Sequence, residues 1–334
     1  TMAALINVTG VEYLANACQR AGAVLFHIST DFVFDGSATS PIDVATSVNP
    51  ISVYGQTKAE GEYRALSLNQ KTILIRTSWV YSTFGNNFVK TMIRLGKEKP
   101  ELGVVNDQVG CPTYAKDLAW VIFEFIKKLP TIEYGIYHFS NSGVTSWCGF
   151  AQKIMELYGL NCKVNPITTD QYPTPAKRPK YSVMNCDKTI NTLQINIPHW
   201  ENALEECIQL LKQQEMLEQI DVKKIIAIAE AAGKEIMQIY DTDDFAVTDK
   251  SDNSPLTKAD KAGNAVIVAA LKEQYPQIPI ISEENKMIEY ADRKDWNYFW
   301  LVDPLDGTKE FIKKNGEFTV NIALVRNGKP VLGV

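Results

Sequence analysis

Tyr54 and Lys58 stand four residues apart in YGQTK, while Glu283, Asp303 and Asp306 sit at the ends of apolar stretches in ISEEN and WLVDPLDGT. On a helix the first pair shares one face. An ammonium beside a phenol lowers its pKa from about 10 toward neutrality, where the phenol can give or take a proton. A hydroxyl ending the preceding strand, Ser29 or Thr30, is placed to hold a substrate oxygen beside it. A Tyr and a Lys at this spacing also arise by chance in a chain of this length, as a solvated helix face. The carboxylates call for different chemistry. Hard oxygen donors suit Mg²⁺, and no His or Cys lies nearby in the sequence to favour zinc. Pro304 and Gly307 shape a turn that points Asp303, Asp306 and the Leu305 carbonyl inward. Two Mg²⁺ ions there would activate a water and neutralise phosphate charge; an Asx-type turn with exposed acids is the alternative.

The elements that must position these groups read as two unrelated units. Up to about residue 213, helix-like and strand-like segments alternate, as in VEYLANACQRAG then AVLFHIST, and KAEGEYRAL then KTILIRTSWVY. Such alternation predicts a parallel sheet flanked by helices. A polar helix, ENALEECIQLLKQQEMLEQ, then leads into VKKIIAIAEAAGKEIMQIY, and the boundary is expected near Gln213 to Met216. Beyond it the pattern reads helix, the polar loop DKSDNSPLTKAD, helix, strands PIISEE and YFWLVDP, and a hairpin turning at Asn327-Gly328. The expected domains are 1–213 and 217–334. The expected fold class is α/β, a parallel-sheet unit followed by an α+β layered unit, which the family resemblances given below imply to be Rossmann-like and of sugar-phosphatase type.

At 334 residues, 45% hydrophobic, 22% charged and with a net charge of -5, the chain has the composition of an ordinary globular protein. That balance argues against a nucleic-acid partner. No CxxC pair occurs among the six cysteines, so they read as reduced core thiols in a cytoplasmic protein. No apolar run approaches the ~18 residues of a membrane helix. His27 and His138 lie in apolar strands and read as satisfied core residues.

HISTDFVFDG (27–36), NPISVYGQTKAEGE (49–62), RTSWVYSTFGNNFVKTM (76–92), NDQVGCPTYAKDLA (106–119) and RPKYSVMNCDK (178–188) together closely resemble the dTDP-4-dehydrorhamnose reductase family, a branch of the extended short-chain dehydrogenases. The resemblance implies reduction of the C4 keto group of a dTDP-linked deoxysugar by NADPH or NADH, giving dTDP-L-rhamnose. Tyr54 would donate the proton, Lys58 would lower its pKa and hold the nicotinamide ribose, and Thr30 would complete the triad, with Ser29 beside it. The family's Thr-to-Tyr separation is kept, 54 − 30 = 24. Trp79 and Tyr81 are candidates for the nicotinamide and sugar pocket, or else core aromatics, and Arg178 for the diphosphate, or else a surface ion pair. The family also opens on a strand and a glycine-rich turn that seats the pyrophosphate. This sequence contains no G-x-x-G-x-x-G, so the resemblance implies that part of the domain lies ahead of Thr1.

DNSPLTKAD (252–260), ISEEN (281–285) and WLVDPLDGTKEFIKKNGEFTVNIALV (300–325) resemble the inositol monophosphatase superfamily, in particular its 3'(2'),5'-bisphosphate nucleotidase branch. The implied substrate is adenosine 3',5'-bisphosphate. Glu283, Asp303 and the Leu305 carbonyl would bind one Mg²⁺, Asp303 and Asp306 a second, and Asp260 and Thr308 would orient the water. The separation 283 − 260 = 23 matches the family. That family draws a further metal-binding aspartate from a segment expected beyond Val334. The combined expectation is a stretch of a larger fused polypeptide, with Met216 where an independent nucleotidase would begin, and with little phosphatase activity from this stretch alone. A homodimer is left open. The rival readings are a non-catalytic nucleotide-sugar-binding module, which has no need of Thr30, Tyr54 and Lys58, and an inactive fusion fragment.

Overall fold

A computed structural model of the protein describes residues 2–174, 176–242, 245–249 and 255–334. The chain divides into two compact units, Thr1–Leu217 and Glu218–Val334. The elements that matter for the first are α1 (Val11–Ala21), β1 (Leu25–Thr30), α2 (Val53–Leu68), β2 (Thr72–Thr77), α3 (Ala115–Lys128) and β3 (Gly135–His138). The three strands form a parallel sheet in the order β1-β2-β3, with Ser29 beside Arg76 and Thr30 beside Thr77. All six residues of β2 are buried, as expected of a strand covered on both faces. Ile73, Ile75, Val121, Phe125, Tyr137 and Phe139 pack between the sheet and α3, with Phe125 edge-on to Tyr137. A second apolar cluster gathers Tyr81, Phe150, Trp200 and Leu204, and a two-stranded parallel layer, Glu101–Val105 with Lys163–Ile167, lies against the helix Trp147–Tyr158.

The start of α2 is set locally. Ser52 accepts a hydrogen bond from the Gly55 amide at 3.1 Å, satisfying one of the donors that a helix N-terminus leaves unpaired. Gly55 itself lies so close to the turn after β1 that a Cβ there would stand 2.1 Å from the Phe32 carbonyl oxygen. Only glycine permits this approach, which holds Tyr54 against the end of β1.

In the second unit, α4 (Val222–Tyr240) and α5 (Lys258–Gln274) cover a sheet of β4 (Ile280–Ser282), β5 (Tyr298–Asp306), β6 (Thr319–Arg326) and β7 (Lys329–Gly333), ordered β4-β5-β6-β7. The first pair is parallel and the others antiparallel. Trp300, Val302, Ile322 and Leu324 form its buried side. Asn327 and Gly328 both take left-handed φ, 47° and 74°, the conformation that an Asn-Gly hairpin turn supplies at low cost. The expected loop 249–260 carries a short ladder, Thr248–Asp249 with Pro255–Leu256; its residues 250–254, and with them 252–254 of the DNSPLTKAD motif, lie outside the described residues. Thr257 and Asp260 cap α5 reciprocally.

Replacing Gly55 with Ala forces a shift of α2 away from Phe32 and is expected to cost about 1–3 kcal/mol. A urea midpoint unchanged in Gly55→Ala would contradict this packing.

Candidate functional sites

The structure brings Thr30, Tyr54 and Lys58 to the end of β1. Thr30 is buried, while the Tyr54 ring is 47% exposed and meets Phe32 edge-on at 5.5 Å. Partial burial raises the half-exposed Tyr54 phenol above its ordinary value, opposed by a hydrogen bond with Thr30 and reinforced by the Asp31 carboxyl. This corrects the expectation that Lys58 lowers it. The Lys58 ammonium is drawn back onto the sheet, donating to the Ile28 carbonyl at 2.7 Å. Its own pKa is lowered by burial, with Glu62 pulling the other way.

Ser29 is not open to a ligand. Its hydroxyl donates to Glu62 at 2.5 Å, and both side chains are buried. Glu62, one turn beyond Lys58, is also gripped by Arg76 of β2 through Nε at 3.0 and 3.1 Å and Nη2 at 2.6 Å. The Arg76 guanidinium lies 5.1 Å from the Phe34 ring centroid. This ion pair is buried to within 5% of full coverage on both side chains and ties α2 to both strands. Its two halves lie on different elements, and only the charged residue interrupting the apolar run TILIRT hinted at it. His27 and His138 are residues packed in the sheet, as expected, and burial lowers their pKa values to about 4; His27 Nε2 has no close hydrogen-bond partner.

Trp79 takes a left-handed φ of 48°, which costs a bulky residue about 1–3 kcal/mol. It stacks on Trp147 at 3.7 Å, a partner not singled out from the sequence. Trp147, Gln108, Lys99, Tyr172 and Arg178 line a cavity of about 470 Å³, so Arg178 stands at a polar and aromatic pocket. Tyr81 does not line it. It is 1% exposed and stacks on Tyr114 within the core, where burial pushes its phenol pKa far up. Another residue missed in the sequence is Asp31, which follows Thr30 and is 2% exposed.

In the second unit Glu283 and Asp303 are in contact. Burial first, then the Glu283 charge and hydrogen bond, raise Asp303 to about 6. A cation would relieve two carboxylates crowded in this way, so the donor chemistry fits a hard metal ion. Asp306, whose charge also raises Asp303, accepts from Asn321 at 3.2 Å. Among the described residues no three His, Cys, Asp or Glu side chains are gathered as a metal cage, so the expected carboxylate set is only partly assembled. Thr308, by contrast, joins its expected partners: its hydroxyl lies 3.1 Å from both Asp260 Oδ1 and the Leu305 carbonyl. Asp260 is held from the other side by the Thr257 amide at 2.7 Å and hydroxyl at 2.6 Å. A cavity of about 620 Å³ beside Glu283 and Asp303 is also lined by Lys286, Arg293 and Asn321.

A Rossmann-like α/β unit carrying a threonine at a strand end and a Tyr-Lys helix is followed by an α+β unit whose acidic groups cluster at a strand end. The chain belongs to the RmlD substrate binding domain family over residues 1–213, and residues 216–334 form an inositol monophosphatase family domain. It is 43% identical over 212 residues to a dTDP-4-dehydrorhamnose reductase of Aggregatibacter actinomycetemcomitans, covering 60% of this chain and 71% of that one. A solved dTDP-4-dehydrorhamnose reductase from Clostridium acetobutylicum is 46% identical, with a TM-score of 0.59 over 62% of this chain and 72% of the other. One from Bacillus anthracis, in complex with NADP, is 42% identical, with a TM-score of 0.58 over 60% and 70%. Among the described residues no helix is long and apolar enough to cross a membrane.

Breaking the buried pair by Arg76→Met leaves Glu62 uncompensated and is expected to cost about 3–5 kcal/mol, whereas Glu62→Leu with Arg76→Met costs markedly less. Equal losses of denaturation midpoint in the single and double variants would contradict a desolvated ion pair.

Proposed function

We propose that residues 1–213 reduce the C4 keto group of a dTDP-linked deoxysugar to give dTDP-L-rhamnose, and that residues 217–334 hydrolyse adenosine 3',5'-bisphosphate with Mg²⁺. The observation that carries the first part is the meeting of Thr30, Tyr54 and Lys58 at one strand end, in a chain whose relatives are dTDP-4-dehydrorhamnose reductases. The exposed phenol and half-buried ammonium, four residues apart, fit a nicotinamide ribose and a carbonyl oxygen. NADPH or NADH, when bound, supplies the hydride, and the NADP found in the Bacillus anthracis relative supports the phosphorylated form. Thr30 orients the substrate oxygen, Tyr54 gives it a proton, and Lys58, released from the Ile28 carbonyl, steadies the phenolate and the ribose. Trp79 walls the nicotinamide side. The cavity with Trp147 and Gln108 suits a nucleotide base, and Arg178 with Lys99 suits its diphosphate.

For the second part, Glu283, Asp303 and the Leu305 carbonyl would hold one Mg²⁺, and Asp303 with Asp306 another. Bound Mg²⁺ supplies charge neutralisation at the phosphate and activation of water. Asp260 and Thr308 orient that water, and Lys286 and Arg293 offer charge complementary to a second phosphate. The Thr-Lys-Glu-Phe run after Asp306-Gly307 supports the bisphosphate branch.

Tyr54→Phe is expected to lower the rate of NADPH oxidation with the dTDP-4-keto sugar by about 10²–10⁴-fold while dTDP affinity stays within a few-fold. Unchanged turnover would remove Tyr54 from the chemistry. Asp303→Asn should abolish Mg²⁺-dependent phosphate release from adenosine 3',5'-bisphosphate and spare the reductase; release from inositol monophosphate alone would redirect the second assignment.

A further inference from the structure

The carboxyl of Asp31 has no role in the chemistry above, yet it is 2% exposed and lies against the proposed proton donor's neighbour. Its Oδ1 is 3.0 Å from the Thr30 hydroxyl, and its Oδ2 has no close hydrogen-bond partner, the Ser182 hydroxyl being the other side-chain donor near the carboxyl. An unpartnered, buried carboxylate oxygen is costly, whereas an unpartnered carbonyl oxygen of a neutral acid is much less so. The groups that act on Asp31 are the hydroxyls of Thr30 and Ser182 and nearby backbone amides; neither a lysine nor an arginine is among the main influences that would keep it ionised. Tyr54 of α2 and the thiol of Cys111 feel its charge in turn.

Thr30 has one proton and two lone pairs. One lone pair already accepts from the Phe32 amide at 3.2 Å. With Asp31 ionised, the single proton of Thr30 goes to Oδ1, and Thr30 can only accept from Tyr54 or from a ligand. With Asp31 protonated, the same 3.0 Å contact runs the other way: the acid donates to Thr30, and the Thr30 proton is free for the hydrogen bond Thr30 shares with Tyr54.

We propose that Asp31 is a positioning residue that sets the donor direction of the Thr30 hydroxyl and, through it, returns a proton to Tyr54 after Tyr54 has given one up. The step balances: the Asp31 acid loses a proton to Thr30, Thr30 passes its own to the Tyr54 phenolate, and a carboxylate and a neutral phenol remain. It runs downhill, since burial raises Asp31 only to about 6 while the phenol lies above its ordinary value. The purpose of this relay rests on the reductase reading; the coupling of the two groups does not.

The test is carbon-13 NMR of the full chain labelled at the tyrosine Cζ and aspartate Cγ, titrated in the wild type, Asp31→Asn and Thr30→Val. In the wild type the Tyr54 signal should show a step near pH 6, coincident with the Asp31 carboxyl, before its own titration at high pH. Asp31→Asn should lose that step and lower the phenol pKa. Thr30→Val should keep the Asp31 titration but lose its imprint on Tyr54, and it remains informative if Asp31→Asn fails to fold. A Tyr54 step that survives both substitutions, or its absence from the wild type, would overturn the proposal. Titration of the same samples with dTDP separates the two ideas: no dTDP binding by the wild type sinks the reductase reading while leaving the coupling to stand or fall on the NMR.

Discussion

The first unit depends on the ion pair between Glu62 and Arg76. Both side chains are taken out of water, so their attraction must offset a large desolvation cost, and the forked geometry with the added Ser29 hydroxyl is what allows it to do so. The pair joins α2 to β1 and β2 and thereby fixes the helix face that carries Tyr54 and Lys58 relative to Thr30. Its negative partner lies one helical turn from Lys58, so the same bond that holds the architecture also sets the field around the ammonium. Burial first, and then the charge of Arg76, which lies over Phe34, lower the pKa of His138 and leave that imidazole neutral inside the sheet.

The second unit handles charge in the opposite manner. Burial and the neighbouring charge of Glu283 raise Asp303, where a closed ion pair would have lowered it. Thr308 and Asp260 are already locked together, while Asp306 is turned to Asn321. The groups proposed to orient water are therefore already held by protein bonds, whereas the carboxylates proposed to hold metal repel one another. The two units share a chain but no common chemical logic.

What could be read from the sequence followed the range of the interactions. Helix and strand periodicities, the Asn-Gly hairpin and the Tyr54–Lys58 spacing are local, and each element appears where the pattern put it. Asp31 and Arg76 escaped attention because a charged residue in an apolar run discloses nothing about its partner; Glu62 is 14 positions from Arg76 and meets it only across the sheet. Trp147 stacks on Trp79 from 68 positions away, 147 − 79. Ser29 and Thr30 are adjacent hydroxyls of one strand, so they point to opposite faces, and only the fold decides that Thr30 is the one beside Tyr54. The direction of the Tyr54 shift was misjudged because spacing says that Lys58 shares a face with it, not that the Ile28 carbonyl captures the amine first. Tyr81 likewise follows a strand but is turned into the core against Tyr114.

The central claim is that Tyr54 is the proton donor of a dTDP-sugar reductase. It is tested most directly by NADPH oxidation with the dTDP-4-keto sugar, comparing wild type with Tyr54→Phe, on the polypeptide purified from its native source. The account predicts turnover in the wild type and its near-complete loss in the variant, with dTDP still bound by both. Equal turnover in the two proteins, or dTDP binding with no turnover in either, would contradict it.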